Sequence, residues 1–271
     1  HIAVQGYLKK AALGEYREAL ALIKKQNPFP AVCGHICNRK CEDVCTRGTI
    51  DQPVAIDEVK KFLAELDLKA ETRYVPPVVI PASIHMDHFD DKIAIIGGGP
   101  AGMSAAFFLA EKGYRPTVFE KNEYCGGMLR YGIPSYKLEK DVIEAEIDVI
   151  REMGVQLRTG IEVGKDITLS DLRREGYKAF YIAIGCSAGR RPTVPGDTAE
   201  GTFTAIDYLH EANTGSTRFE GTVVVVGGGN VAIDAARVSA RSGAAKVTAL
   251  CLESRKEMPA SEEQTREAFE D

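Results

Sequence analysis

The sequence predicts an α/β fold preceded by a small α-helical domain. Three observations carry that prediction. From Lys92 onward, short apolar runs alternate with helical stretches, the mark of a parallel sheet. Two of those runs end in glycine-rich turns, one opening at Gly97 and the other at Gly227. The stretch before residue 69 lacks the alternation and holds four closely spaced cysteines instead.

Composition narrows the function classes. A chain of 271 residues is one to two domains long and buries a core without staples. Lys and Arg number 34 against 39 Asp and Glu, for a net charge of −5. That balance argues against a general nucleic-acid or membrane-surface binder, because neither has a basic face to rest on. Apolar residues at 44% and charged residues at 27% suit a globular protein rather than a disordered one. A membrane-spanning helix takes about 20 consecutive apolar residues, and no apolar run here approaches that length. The N-terminus also lacks a secretory layout, so a cytoplasmic protein is expected. The chain opens on His1 rather than Met, which suggests that its start is missing.

Residues 1–68 form the expected helical domain. Tyr16 to Ile23 carries apolar residues at helical spacing, and Asn27-Pro28 closes it. Asp57 to Leu66 reads as a second helix with acids at its start, where the helix dipole favours them. Residues 69–91 read as a linker: Pro76, Pro77 and Pro81 forbid a helix and favour extended chain. At full stretch it spans roughly 75 Å, enough to cross the face of a domain. His85 and His88 flank Asp87 there, a combination that suits a metal but more often belongs to a solvated loop.

The first glycine-rich turn is Gly97-Gly98-Gly99-Pro100-Ala101-Gly102, directly after the strand Lys92–Ile96. A helix follows through Leu109, capped by Gly113, and the next strand, Thr117–Phe119, ends in Glu120. In such a turn the first glycine makes the bend, the second lets backbone approach a pyrophosphate, and the third packs helix on strand. Glu120 follows Gly102 near the spacing of about 20 residues at which a terminal acid meets ribose hydroxyls. The second turn is Gly227-Gly228-Gly229-Asn230-Val231-Ala232, after Thr222–Val226. Its next strand, Lys246–Leu250, precedes Glu253, which follows Ala232 at a similar spacing. The two copies predict Rossmann-like dinucleotide-binding domains over 92–195 and 196–271. The second is read as truncated, because the chain ends at Asp271, soon after Glu253. An acid at 253 favours NADH over NADPH, while Arg255 and Lys256 oppose that preference. Two dinucleotide folds on one chain point to a flavin paired with a nicotinamide.

Cys33, Cys37, Cys41 and Cys45 have three-residue gaps throughout. The spacing matches neither the bacterial ferredoxin run nor a paired zinc ribbon. Thiol ligands beside a flavin favour iron–sulfur, with zinc second and a structural role third. On one continuous helix Cys33 and Cys45 are about 18 Å apart, too far for one cluster. Either the backbone folds back, near Gly34, or the cysteines serve two clusters. His35, Arg39, Lys40 and Arg47 stand among them, where they either offset a negative cluster or form a solvated loop face. Cys125, Cys186 and Cys251 read as ordinary buried thiols.

Beyond the first turn stand Glu120-Lys121 and then Cys125-Gly126-Gly127-Met128-Leu129-Arg130-Tyr131-Gly132-Ile133-Pro134. These runs resemble the FAD half of the glutamate synthase small-subunit family, which includes the N-terminal part of dihydropyrimidine dehydrogenase. The likeness covers nearly the whole chain. It implies that Gly127 to Ile133 lies along the FAD diphosphate and beside its ring, that Val163 contacts adenine through its backbone, and that Ala183-Ile184-Gly185 sits near the flavin. Glu257-Met258-Pro259-Ala260 is another shared run. The resemblance also implies two 4Fe–4S clusters with further cysteines upstream; none precedes Cys33 here. Disulfide reductases carry a redox cysteine pair after the flavin-side glycines. The next cysteine after Cys125 is the distant Cys186, so no dithiol exit is expected.

The expected function is an electron-input module. NAD(P)H passes electrons through FAD to 4Fe–4S clusters and then to a larger redox or synthase subunit. One alternative places the chain in an NADH-linked hydrogenase, formate dehydrogenase or bifurcating complex. Another is a zinc-stabilised nucleotide-binding assembly module without turnover.

Overall fold

The computed structural model describes residues 2–80, 84, 88–215, 218 and 220–270. Pro81, and with it His85 and Asp87 of the linker's metal reading, lie outside the described residues. The chain divides into two compact units. One comprises residues 1–129 and 137–185, the other residues 130–136 and 186–271.

The first unit opens with helices α1 (Val4–Ala12), α2 (Tyr16–Lys24), α3 (Pro30–Ile36), α4 (Lys40–Asp43) and α5 (Ile56–Leu68), with a 3-10 turn at Thr46–Thr49. The helices at 16–24 and 56–68 are those the apolar spacing predicts. Tyr7, Ala19, Ile23, Ile56 and Leu63 form their core. The Tyr7 hydroxyl, too polar to be buried alone, donates to Ile56 O at 3.0 Å. Gly34 is where α3 meets α5: a Cβ there would stand 2.6 Å from Lys61 Cβ.

Next come β1 (Lys92–Ile96), α6 (Pro100–Glu111), β2 (Thr117–Glu120), α7 (Met128–Tyr131), α8 (Lys140–Glu152), β3 (Gln156–Thr159), α9 (Leu169–Arg174) and β4 (Tyr177–Ile182). Their strands form one parallel sheet in the order β3-β2-β1-β4. Central strands of such a sheet are covered on both faces and so read as unbroken apolar runs. Ala94, Ile95, Ile96 and all four residues of β2 are buried accordingly. Two described residues of the segment 69–91 bond to the end of α6 and the turn after it. Val79 N–H donates to Glu111 O at 2.7 Å and Phe89 N–H to Gly113 O at 2.8 Å. The rings of Phe89 and Tyr114 stack there at 4.7 Å.

The second unit holds α10 (Ala205–Thr214), β5 (Thr222–Val226), α11 (Asn230–Arg241), β6 (Lys246–Leu250) and α12 (Glu262–Glu270). Strands β5 and β6 pair in parallel from Thr222–Lys246 to Val226–Leu250. Tyr208, Leu209 and Ala235 make its core. Among the described residues no helix is long and apolar enough to cross a membrane.

Candidate dinucleotide turns and cysteine cluster

The first turn is built by contacts that exclude side chains. Gly97 adopts φ +106°, and a Cβ on it would lie 2.3 Å from Ala183 O at the end of β4. A Cβ on Gly102 would lie 1.9 Å from Gly97 O. Only glycine fits either place. The Gly98 amide donates to Glu120 Oε2 at 2.7 Å, while Asn122 donates to Oε1 through its backbone N–H at 2.9 Å and its side-chain amide at 2.8 Å. A carboxylate accepts about four hydrogen bonds, so three donors leave one acceptor site on Oε2.

A second glycine strand lies back to back with this turn. Gly126 N–H donates to Gly98 O at 2.8 Å, and a Cβ on Gly127 would stand 2.8 Å from Gly99 Cα. Leu129 is buried, whereas Met128 faces solvent. No side chain caps α6, whose first residues Pro100 and Ala101 are exposed, so its N-terminal amides and positive dipole end face outward. The Ile161 amide donates to Glu120 O at 3.0 Å, which brings the Val163 segment beside the acid. Val163 packs against the cluster of Ala94 and Phe119. Lys121 and Gly185 are exposed. Arg130 and Ile133 belong to the second unit.

The second turn repeats this construction. Gly97 N–H donates to Phe119 O at 2.8 Å, and Gly227 N–H donates to Leu250 O at 2.7 Å. Where Gly98 O accepts from Gly126, Gly228 O accepts from Ala260 N–H at 3.0 Å. A Cβ on Gly228 would lie 3.2 Å from Glu253 Oε2, so this acid too reaches back to its turn. Ser261 N–H donates to Asn230 Oδ1 at 3.0 Å. Gly229 has nothing within 4 Å of its Cβ position, Val231 is exposed, and no side chain caps α11. Both turns are therefore uncovered backbone cradles at helix N-termini, which fit the diphosphate of a dinucleotide.

The cysteines do not lie on one helix. Cys33 is on α3, Cys37 is extended (ψ 138°), Arg39 takes the left-handed conformation (φ 53°), Cys41 is in α4 and Cys45 is again extended (ψ 121°). The backbone turns at 37–39 rather than at Gly34, whose missing side chain serves helix packing. All four thiols are free, a donor set that suits iron. Among the described residues no three metal-ligating side chains converge. Burial raises the Cys33 and Cys41 thiols above their ordinary range. Backbone N–H groups of Val54, Arg47 and Gly48, with the Arg47 charge, lower that of Cys45. Three nearby cations are already paired, Arg39 with Glu58, Lys40 with Asp43 and Arg47 with Asp51, and the His35 ring lies beside Glu65. Cys125 is buried against Gly98, but Cys186 and Cys251 are exposed, contrary to their sequence reading.

Residues 91–271 match the family model described as pyridine nucleotide-disulphide oxidoreductase. The chain belongs to that family. It has the family's FAD- and NAD(P)H-binding fold. Residues 1–72 match a second model, dihydropyrimidine dehydrogenase domain II, 4Fe–4S cluster. The chain is 38% identical to the NADP(+)-dependent formate dehydrogenase subunit beta of Moorella thermoacetica, matching 99% of this chain and 40% of that one. It is 37% identical to the NADPH-Fe(3+) oxidoreductase subunit beta of Geobacter sulfurreducens, over 96% and 38%. Against the glutamate synthase [NADPH] small chain of Escherichia coli it is 32% identical, over 100% and 59%. The chain thus spans less than two thirds of each of these relatives. Among solved structures, FprA of Mycobacterium tuberculosis in complex with NADPH aligns with a TM-score of 0.56 at 20% identity, over 66% of this chain and 47% of that one, a likeness of fold.

Sequence reasoning missed two features of these sites. One is the docking of Ala260 and Ser261 on the second turn, for which the Glu257–Ala260 run was the available signal. The other is Glu146, a lone acid on the apolar stripe Ile143, Ile147, Ile150 of α8.

Proposed function

We propose that this chain is the electron-input part of a larger oxidoreductase. It takes electrons from NADH through FAD to iron–sulfur centres and on to a separate redox or synthase subunit. The observation that carries this reading is the duplicated cradle, Gly98–Glu120–Gly126 and Gly228–Glu253–Ala260, on one chain with four free thiols.

The residues' work is binding and orientation. The N-terminus of α6 with Gly97, Gly99, Pro100, Ala101 and Gly102 receives one diphosphate. Glu120 offers its remaining acceptor site to a ribose hydroxyl, and Gly127 keeps the backbone behind the turn free of side chains. The α11 end with Gly227, Gly228, Gly229, Asn230 and Val231 receives the nicotinamide dinucleotide. Glu253 there repels a 2′-phosphate, which favours NADH although the relatives' names carry NADP. When bound, the flavin converts a two-electron donor into single-electron steps. Cys125 is packed against Gly98, and this reading sends the electrons to iron–sulfur centres rather than to a dithiol. Cys33, Cys37, Cys41 and Cys45 hold iron–sulfur centres. The turn at 37–39 takes Cys41 and Cys45 off the helix of Cys33, so the four thiols need not span a continuous helix.

An anaerobic absorption spectrum with iron, sulfide and zinc analysis tests the reading. Flavin bands with a broad iron–sulfur shoulder, bleached by NADH, are expected. Zinc without flavin overturns it in favour of an assembly module. The identity of a co-purifying subunit separates a formate dehydrogenase-type complex, suggested by the Moorella relative, from a glutamate synthase-type one.

A further inference from the structure

Helix α3 carries Cys33 and begins at Phe29-Pro30 without a side-chain cap of its own. A helix needs acceptors for its first amides, and a proline supplies no N–H to satisfy. Here the Ala31 and Val32 amides donate to the two carboxylate oxygens of Glu146, at 3.0 and 2.9 Å. Glu146 lies on α8, more than a hundred residues later, and is 1% exposed. Lys24, itself 3% exposed, stands in the same buried region, within 3.9 Å of Asp67 Oδ2 and donating to Tyr74 O.

A Ser or Asp at position 29 would cap α3 without burying a carboxylate. The distant carboxyl group adds something a local cap does not: a two-point lock between two helices. Helix α8 packs on α6, and α6 starts at the first glycine turn. One mechanical path therefore runs from Cys33 through α3, Glu146, α8 and α6 to Gly97–Gly102.

We propose that Glu146 is a positioning residue for electron transfer: it locks the Cys33 helix to the flavin-domain helix α8 and so fixes the gap an electron crosses. The inference rests on the function proposed above. Electron transfer depends steeply on separation, so a loosened lock slows it while leaving the nicotinamide-to-flavin step alone.

The test uses the anaerobically purified, cofactor-loaded full-length protein with Glu146→Gln and Glu146→Asp. In Glu146→Gln one amide must face an NH2 group instead of an acceptor. Flavin reduction by NADH is expected to match wild type, while flavin-to-cluster transfer falls about tenfold or more. The electron paramagnetic resonance lines of the reduced cluster broaden as its ligand helix gains alternative positions. Glu146→Asp, which keeps the carboxyl at shorter reach, is expected to fall between. Wild-type transfer rates and unchanged lines in both variants overturn the proposal. If Glu146→Gln does not retain its cofactors, Glu146→Asp alone decides by the same two readouts. If the wild-type protein holds no flavin or iron, the functional reading fails separately, and amide exchange then decides about the lock. Loss of protection at Ala31 and Val32 with α8 still protected supports it, and unchanged protection overturns it.

Discussion

The Gly98 amide donates to Glu120 Oε2 across 2.7 Å, so the acid at the end of β2 holds the turn at the end of β1. The bond joins adjacent parallel strands at their C-terminal ends, where a doubly wound sheet binds its ligands. The same carboxylate keeps one acceptor site, which the proposed function gives to a ribose hydroxyl. Glu120→Ala removes both roles. Loss of a charge-assisted hydrogen bond costs about 1.5–3 kcal/mol, so FAD affinity is expected to fall about tenfold to hundredfold. Fluorescence titration of the apoprotein measures it, and an unchanged Kd refutes the assignment.

Gly102→Ala brings a methyl to 1.9 Å from Gly97 O, which is backbone and cannot swing aside. Overpacking of this kind costs about 1–3 kcal/mol. Thermal unfolding is expected to drop by several degrees and flavin retention to be lost. The second turn already carries Ala232 at the matching position, so Ala232→Gly is expected to cost under about 1 kcal/mol.

Burial raises the carboxyl of Glu146 from 4.5 to about 7. Between those values the folded protein binds more protons than the unfolded chain. Its stability contribution is therefore present below about pH 4.5 and lost as pH rises through about 7. The loss across that window is at most about 3 kcal/mol. Denaturant titrations at a series of pH values are expected to show this slope in wild type and its flattening in Glu146→Gln; equal slopes count against it.

The thiol of Cys45 is lowered by three backbone N–H groups, and that of Cys33 is raised by burial. In metal-free protein near neutral pH, Cys45 is expected to alkylate with iodoacetamide faster than Cys33. Mass spectrometry of timed digests ranks them, and the reverse order contradicts the electrostatics.

Glu253 lies beside Gly228 while the Arg255 guanidinium stands over the Phe269 ring at 4.5 Å. Removing the like charge from a 2′-phosphate site is expected to raise the NADPH-to-NADH ratio of kcat/KM about tenfold in Glu253→Gln. A ratio that does not move places nucleotide selection elsewhere.

The two strand–turn–helix–strand units and their terminal acids were legible in the residues alone. Local rules govern these: apolar period and glycine at crowded turns. The runs Gly126–Pro134 and Glu257–Ala260 were legible as a likeness, but their place was not. Packing set each of them so that it lays an amide on the carbonyl of a glycine turn. Packing also bent the cysteine segment at 37–39, paired Arg39, Lys40 and Arg47 with acids, and brought Glu146 to cap a helix more than a hundred residues earlier. Such contacts join segments that share no local period. They arise only when the folded chain brings a buried acid against amides that lack an acceptor of their own.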